Sequence, residues 1–523
     1  MYPAQLSFIP VSVALVRFIE GGGQVFGNYP YWYLGSTPFR YLTGPIVPFL
    51  LVGLRKLLPQ FSLFDLAYFT LITSLLILSF GWGVLAWQLS GSRRVGFVVG
   101  VISLVLPWHA VSSLALGEVS AVAVQALTPW VFLTYARVQS SKFKVQSLAL
   151  PAAAFALLLL TNVVAAVPAL IGMAILAIVV GKDWGAGLKK ALIVVVIGAI
   201  LTLWWYTPGY FATIAGAPSF GGKSALSTFV SLLNSLRSFV PVILAIVIAF
   251  WKLKPKDTFQ KFILAWIVIF GSLTLFRFLA DPDFWMDWTT WIGEVELGFA
   301  LMFGYFLTRA QMSFQSTEGP WPSANGVIAR SKAPSPRKNF ILLTLLSIYL
   351  IFAWFYAWQN RDFWLPRTDI SQTVEYKTAI WLGQNVKCSP RFAGEAGQLS
   401  PIQQVQGDPE YIEGSIVNCQ TVFLSGTTAF WLNSLVDVVQ VRGGADQAAV
   451  HPIWRQAAWK IREGKSADDA EEVLKLLKIN YLVVHTDKSS EFYHDFKDVE
   501  KFERIRSLEK VYEEDGDVIY RVR

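Results

Sequence analysis

Residues Phe64–Leu89 read FDLAYFTLITSLLILSFGWGVLAWQL, and Ser90-Gly91-Ser92-Arg93-Arg94 follow directly. At ~1.5 Å of rise per residue, such an apolar run crosses a ~30 Å hydrocarbon core as one helix. An arginine pair just beyond it marks the cytoplasmic end, because basic loops are retained on that side.

Outward from this span the same texture recurs. Apolar runs follow at Val95–Leu106, Val119–Ala136, Gln146–Leu160, Val163–Val180, Ala191–Gly209, Ser231–Trp251, Phe262–Leu279, Ile292–Leu307 and Phe340–Trp358. With Phe64–Leu89 that is about ten spans by the usual length of roughly 17–25 residues. Val95–Leu106 and Gln146–Leu160 are short, so a re-entrant or tilted piece is open at each. Alternate loops are basic: Arg93-Arg94, Arg137/Lys142/Lys144, Lys182/Lys189/Lys190, Lys252/Lys254/Lys256/Lys261, and Arg309 through Lys338. The loops between them, Trp108–Glu118, Tyr210–Phe229 and Ala280–Trp291, are aromatic or acidic. That alternation makes the first set cytoplasmic and the second extracytoplasmic. It carries the residues after Asn360 to the outside, so a cysteine placed at Ser425 is expected to react with an impermeant thiol reagent in intact cells.

Composition agrees with this class. The chain has 523 residues, 54% hydrophobic and 15% charged, against about 25% charged in soluble domains. Its mean hydropathy is +0.46. The net charge of +8 is spread through short loops, which argues for a membrane topology and against nucleic acid. No phosphate-binding glycine loop, zinc-spaced Cys/His set or dinucleotide fingerprint is present.

Two N-terminal segments do not fit the span pattern. Leu6–Phe18 is short and contains Pro10 and Arg17, and a crossing at Pro45–Leu58 would reverse the charge phase of every later loop. Both are expected as interfacial helices at the outer surface, which implies a preceding helix not in this sequence. Residues 310–339, rich in Ser, Pro, Gly and Lys/Arg, are expected as a disordered cytoplasmic loop.

The expected domains are therefore a transmembrane domain over 1–360 and an extracytoplasmic α+β domain over 361–523. In the second, Ser466 with Asp469 starts a helix over Ala467–Lys478, followed by a strand at Tyr481–His485. Asp515-Gly516 marks a hairpin between Lys510–Glu513 and Val518–Arg523. The only cysteines, Cys388 and Cys419, both fall here. A disulfide is permitted outside the cytoplasm, and two buried thiols are the alternative.

Ionisable groups at a membrane boundary are costly and mark functional candidates. On the outer face these are Glu20, Trp108-His109 with Glu118, Arg277, Asp281, Asp283 and Asp287 beside Trp285, and Glu294 and Glu296. Carboxylates beside tryptophans suit a sugar, since aromatic rings stack on pyranose faces and a carboxylate can take a hydroxyl proton. Glu20, Glu118 and one of the three aspartates are expected to converge on one cavity. The carboxylate set leaves room for a divalent cation, although no metal motif is present.

The stretch Gly27-Asn28-Tyr29-Pro30-Tyr31-Trp32-Tyr33-Leu34-Gly35-Ser36-Thr37-Pro38-Phe39, with Thr43-Gly44-Pro45, resembles the first outer loop of GT-C superfamily glycosyltransferases. More narrowly, it resembles bacterial and archaeal membrane proteins labelled YfhO-like or 6-pyruvoyl-tetrahydropterin-synthase-related. Leu116-Gly117-Glu118, Trp431-Leu432-Asn433 and Arg442–Gln447 fit the same pattern. The resemblance implies a polyprenyl-phosphate-linked sugar donor, a glycan, lipid or protein acceptor, and a carboxylate base, with Glu20 and Glu118 as candidates. Nothing here resembles the zinc-histidine site behind the pterin label, and the acidic residue usual after the first span has no counterpart before Glu20. Arg40, Arg55, Lys56 and Arg277 are candidates for the lipid phosphate, Arg being suited to forked contact. Trp108, His109 and Trp285 are candidate sugar contacts. The expected function is sugar transfer at the outer face of the plasma membrane. The alternatives are a transporter or flippase of a lipid-linked substrate, and a non-catalytic cell-envelope scaffold.

Overall fold

The computed structural model describes residues 1–36, 44–139, 145–181, 183–217, 240–280, 288–315, 336–387, 419–444, 446, 449 and 451–523. Its membrane-side helices are α1 (Ile9–Glu20), α2 (Ile46–Leu57), α3 (Leu63–Ser90), α4 (Arg93–Leu104), α5 (Pro107–Val111), α6 (Val119–Gln139), α7 (Ala149–Thr161), α8 (Ala166–Val180), α9 (Trp184–Thr202), α10 (Pro208–Gly216), α11 (Val240–Leu253), α12 (Thr258–Ala280), α13 (Trp288–Gln315) and α14 (Pro336–Gln359). The remaining part contains α15 (Val374–Asn385), β1 (Thr421–Phe423), α16 (Thr428–Leu435), β2 (Val439–Gln440), α17 (Trp454–Arg462), α18 (Ala467–Leu476), β3 (Ile479–His485), β4 (Leu508–Glu514) and β5 (Asp517–Val522).

Among the described residues five helices are long and apolar enough to cross a membrane: Leu63–Ser90, Val119–Gln139, Val163–Val180, Trp184–Thr202 and Thr258–Leu275. The chain is a membrane protein. A sixth span arises if Arg93–Leu104 and Pro107–Leu116, bent by 43° at their junction, count as one. Among the described residues, then, five or six of the expected ten spans are present. The short runs near 95–106 and 146–160 do form short helices, and the first of them bends into the next, as a re-entrant or broken span does. Of the expected run 231–251, residues 231–239 lie outside the described set, and so do 316–335 of the expected loop 310–339. Helices α13 and α14 extend into the flanks of that loop, over 310–315 and 336–339.

Close packing of the helices follows from small residues and aromatics. A Cβ on Gly83 would stand 2.8 Å from the Gly96 carbonyl oxygen, and one on Gly96 2.6 Å from that of Gly83. The backbones of α3 and α4 therefore touch directly, as small residues allow between helices in lipid. Trp82, Phe132 and Trp266 form an edge-to-face triangle with centroids 5.3–6.0 Å apart, joining α3, α6 and α12. Helix α3 begins on a full capping box between Ser62 and Asp65. The two N-terminal helices have 12 residues each, about 18 Å, and are too short to span. Helix α1 packs on α16 of the sheet part, while α2 packs on α1 and α3.

The five strands are ordered β2-β1-β3-β5-β4, parallel at β2/β1 and β1/β3 and antiparallel at β3/β5 and β5/β4. Asp515 and Gly516 both have positive φ, 49° and 88°, the signature of the tight hairpin turn that the sequence predicts. Ser466 caps α18, its Oγ accepting the Asp469 N–H at 3.0 Å. Cys419 is disulfide-bonded, and Cys388 lies outside the described residues.

The aromatic stretch Tyr29–Ser36 docks on this sheet. Gln440 N–H donates to Tyr31 O at 2.9 Å and Leu34 N–H donates to Gln440 O at 3.2 Å, so the loop extends the sheet past β2. Tyr33 Oη donates toward Gly443 O and Gly444 O at 2.9 and 2.8 Å. Trp32 is fully buried on the two glycines, where a Cβ on Gly443 would stand 2.3 Å from Trp32 Cδ1. Gly443-Gly444 is therefore a close-approach site for that indole.

Two measurements check this architecture. Ser425 is buried, so it cannot report topology. Lys465 is exposed in the loop before α18, and Lys465→Cys is expected to react with an impermeant thiol reagent in intact cells. Reaction only after lysis would invert the topology. Gly443→Ala must displace Trp32 and is expected to cost about 1–3 kcal/mol, read as a lowered thermal midpoint of the detergent-solubilised protein.

Candidate active site

The bend after α4 creates the site. Helix α5 begins at Pro107 without a side-chain cap of its own. Its first N–H groups are instead satisfied by Glu296 of α13, which is almost fully buried. Trp108 N–H lies 3.1 Å from both carboxylate oxygens, and His109 N–H 3.3 Å from Oε2. His109 Nδ1 lies 3.4 Å from Oε2, and the Tyr349 phenol of α14 donates to Oε1 at 2.5 Å. One carboxylate thus ties three helices together.

Beside this cluster lies a cavity of about 460 Å³, open to solvent. Its walls are Leu6, Pro107, Trp108, Val111 and Ala115 on one side, and Ile292, Glu296, Tyr349, Ala353, Tyr356 and Ala357 on the other. Asn360, Trp364 and Phe492, the last from the loop after β3, complete it. The lining is mostly apolar with a few convergent polar groups, the usual make-up of a ligand site.

The sequence-predicted residues fall unevenly. Trp108 lines the cavity and His109 stands behind it on Glu296. Glu118 is exposed at the entry to α6, next to Gly117. Gly117 presses on the start of α1: a Cβ there would meet Ser7 Oγ at 2.4 Å and Ile9 Cγ1 at 2.7 Å. Glu20, also exposed, ends the same 12-residue helix. The two glutamates therefore lie near opposite ends of α1, about 16 Å of helix apart, and the structure does not bring them together. Arg40, Asp281, Asp283, Trp285 and Asp287 lie outside the described residues, and Arg277 is placed only as part of α12. Arg55 Nη1 binds the carbonyls of Pro59 (2.8 Å) and Phe61, so it closes the end of α2. Among the described residues no three His, Cys, Asp or Glu side chains gather to hold a metal ion.

Sequence reasoning singled out Glu296 as an ionisable group but not as an anchor, and it missed Tyr349, Trp364 and Phe492. Tyr349 sits 53 residues from Glu296 inside an apolar run, and no local pattern sets it apart.

The loop carrying Phe492 is pinned on both sides. Glu491, buried, accepts from Thr427 N and Oγ1 (2.8 and 2.5 Å) and from Thr428 N and Oγ1 (3.0 and 2.5 Å). Asp495 accepts from Ser425, from Gly426 N at 3.3 Å, and from Arg442 and Arg462 at 2.9 and 3.0 Å. Burial alone would raise the Asp495 carboxyl. The hydrogen bond from Ser425 and the charges of Arg442 and Arg462 outweigh it and hold the group below the usual carboxylate range.

This helical architecture, with two short N-terminal helices and a sheet domain whose Phe492 reaches the cavity, has a likeness in fold among solved structures. No family model and no curated protein matches the chain. Among solved structures, it is similar to the apo oligosaccharyltransferase of Archaeoglobus fulgidus, with a TM-score of 0.52 and 12% identity over 100% of this chain and 71% of that one. The oligosaccharyltransferase AglB of the same organism, in complex with an inhibitory peptide and a dolichol-phosphate, gives 0.48 and 10% over 92% of this chain and 65% of its own. ArnT from Cupriavidus metallidurans bound to undecaprenyl phosphate gives 0.48 and 12%, over 99% and 93%. This chain thus spans about two thirds of the length of the archaeal enzymes, and the likeness is one of fold.

The pH dependence of the pinned loop follows from Asp495. A carboxyl whose folded pKa is depressed contributes stability that is present above its unfolded value of about 3.9 and lost as pH falls through the folded one. Asp495→Asn is expected to lower the thermal midpoint at neutral pH and to flatten its fall as pH drops below about 4. An unchanged acid limb in thermal melts across that range would remove Asp495 from the account.

Proposed function

We propose that the protein transfers a sugar from a polyprenyl-phosphate carrier to an acceptor on the extracytoplasmic face of the plasma membrane. The observation that carries this is the aromatic, carboxylate-bearing cavity between the membrane helices and the sheet domain of a GT-C-like fold. The neighbours' bound lipids point the same way: a dolichol-phosphate in one and undecaprenyl phosphate in another.

In the proposed step an acceptor hydroxyl oxygen attacks the anomeric carbon as the bond from that carbon to the carrier phosphate breaks. The phosphate leaves with the bonding electrons and the configuration inverts. The hydroxyl proton passes to a carboxylate. Glu296 is poorly suited to receive it, because donors already occupy both of its oxygens. We assign the proton to Glu118, an exposed residue three positions beyond the cavity-lining Ala115 and next to a glycine packed on the Ser7–Ile9 segment, whose neighbour Leu6 lines the same space. Glu20, at the far end of α1, is not assigned.

The test is turnover of a labelled polyprenyl-phosphate sugar by purified protein. Glu118→Gln is expected to lower kcat by about 10²–10⁴-fold, the usual worth of a general base, with an unchanged thermal midpoint. Glu20→Gln is expected to retain activity. Wild-type rates in Glu118→Gln would remove this base, and no turnover with any carrier-linked sugar would remove the transferase reading.

A further inference from the structure

The cavity has a wall that does not come from the membrane helices. Phe492 belongs to the loop between β3 and β4, yet it lines the same space as Trp108 and Trp364. It is 41% exposed, and its neighbour Tyr493 is 47% exposed. Their rings meet edge-on at 4.9 Å. Two adjacent exposed rings at the mouth of a largely apolar cavity form a contiguous apolar patch, the kind of surface that marks a binding site.

The chain spends unusual resources to fix this one ring. Immediately before it, Glu491 is sunk against Thr427 and Thr428, and it reaches them because Gly426 has no side chain. A Cβ on Gly426 would lie 2.5 Å from the Glu491 carboxyl carbon, and its φ of +70° also favours glycine. Ser489 Oγ accepts the Glu491 N–H at 3.0 Å and donates to Asp517 at 2.5 Å. Gln5 Nε2 donates to Ser490 O at 3.2 Å, tying the loop to the segment that contributes Leu6 to the cavity. Three residues after the ring, Asp495 is held by Arg442 and Arg462. Phe492 is thus presented from a frame whose flanking carboxylates are both fixed, so little ordering entropy remains to be lost when a ligand meets it.

The opposite wall is chemically different. The Glu296 carboxylate borders the cavity among apolar and aromatic side chains, where a second negative charge is disfavoured far more than in water. Flat aromatic faces suit the C–H face of a sugar ring, while Tyr349 and Asn360 offer polar contact at its edge.

We propose that this cavity is a subsite for an uncharged pyranose ring, with Phe492 and Trp108 as its aromatic walls, and that it selects neutral over uronic sugars. Phe492 is the specificity-determining residue contributed by the sheet domain, and Glu491 is its positioning residue. The proposal rests on the transferase reading only for what the ring is used for; the subsite stands on the geometry.

The test uses the full chain in lipid nanodiscs and two probes, an octyl β-glucoside and an octyl β-glucuronide, each bearing a diazirine on the ring. Photolabelling followed by peptide mapping is expected to place the glucoside on the peptides containing Phe492 and Trp108, with the glucuronide labelling about tenfold less, equivalent to about 1.4 kcal/mol. Phe492→Ala, at an exposed position, is expected to cut glucoside labelling about three- to tenfold, with Phe492→Tyr restoring it. Glu491→Gln is expected to reduce labelling as Phe492→Ala does while the protein still melts cooperatively. Competition by a polyprenyl-phosphate glucose assigns the ring to the donor, and competition by a neutral free oligosaccharide assigns it to the acceptor. Equal labelling by both probes, or labelling indifferent to Phe492→Ala, overturns the proposal. Specific labelling in a protein that turns over no carrier-linked sugar would keep the subsite and discard the transferase reading. Turnover without such labelling would do the reverse.

Discussion

The strand β2 is only two residues long, and an edge that short does not hold a sheet in register alone. It is completed by Tyr31 and Leu34, whose backbone groups bond Gln440 from the far side, while Trp32 fills the space above Gly443-Gly444. Tyr33 and Leu34 take positive φ (55° and 60°) to make this possible, conformations that cost about 1 kcal/mol or more each. Such strain persists only where the surroundings over-determine it, and here a fully buried indole and two carbonyls held by one phenol do so. The first loop, the sheet and the helices beneath are therefore one packed body at this seam. The cavity exists because the sheet domain is held at that height above α5 and α14.

Much of this was legible in the sequence because the signals are local. The apolar runs at 64–89, 119–136, 163–180 and 262–279 each contain a helix, since an 18-residue apolar segment has few other stable options in lipid. Asp515-Gly516 announced its hairpin because only a few residue pairs tolerate two successive left-handed conformations. The aromatic stretch near Trp32 was recognisable, yet its role as the seam between two parts of the fold was not: its partners lie some 410 residues away. Among the described residues fewer spans than the expected ten stand out, because some apolar runs form short helices or are broken by a bend, as near 95–116. Hydropathy counts residues and does not see the turn at Leu106-Pro107.

The site was only half legible for the same reason. Trp108 and His109 stood out as polar or amphipathic groups in a loop between apolar runs; Trp108 lines the cavity and His109 packs on its carboxylate. What holds them is Glu296, 188 residues away, and Tyr349, hidden in an apolar helix. Phe492 carried no signal at all, because an aromatic in a soluble domain is usually core.

The acidic residues divide into two kinds, and the division bears on chemistry. Glu296, Glu491 and Asp495 are each surrounded by backbone N–H, hydroxyl or guanidinium donors, and each spends its lone pairs on fixing a segment that lines or supports the cavity. A carboxylate so occupied is a poor proton acceptor, because accepting a proton means giving up a charge-assisted bond. Removing such a group leaves buried donors unsatisfied, so its substitution disturbs structure before it tests catalysis. Proton transfer needs the other kind, a carboxylate at the water boundary with room for a hydroxyl to approach. Glu118 differs from these three in exposure: the π-helical turn at Ser112–Leu116 ends on Gly117 with φ 58°, and this turn delivers the next residue to the surface at the head of α6. The framework carboxylates fix the segments that line or support the cavity, so little ordering entropy remains to be lost there when a ligand enters.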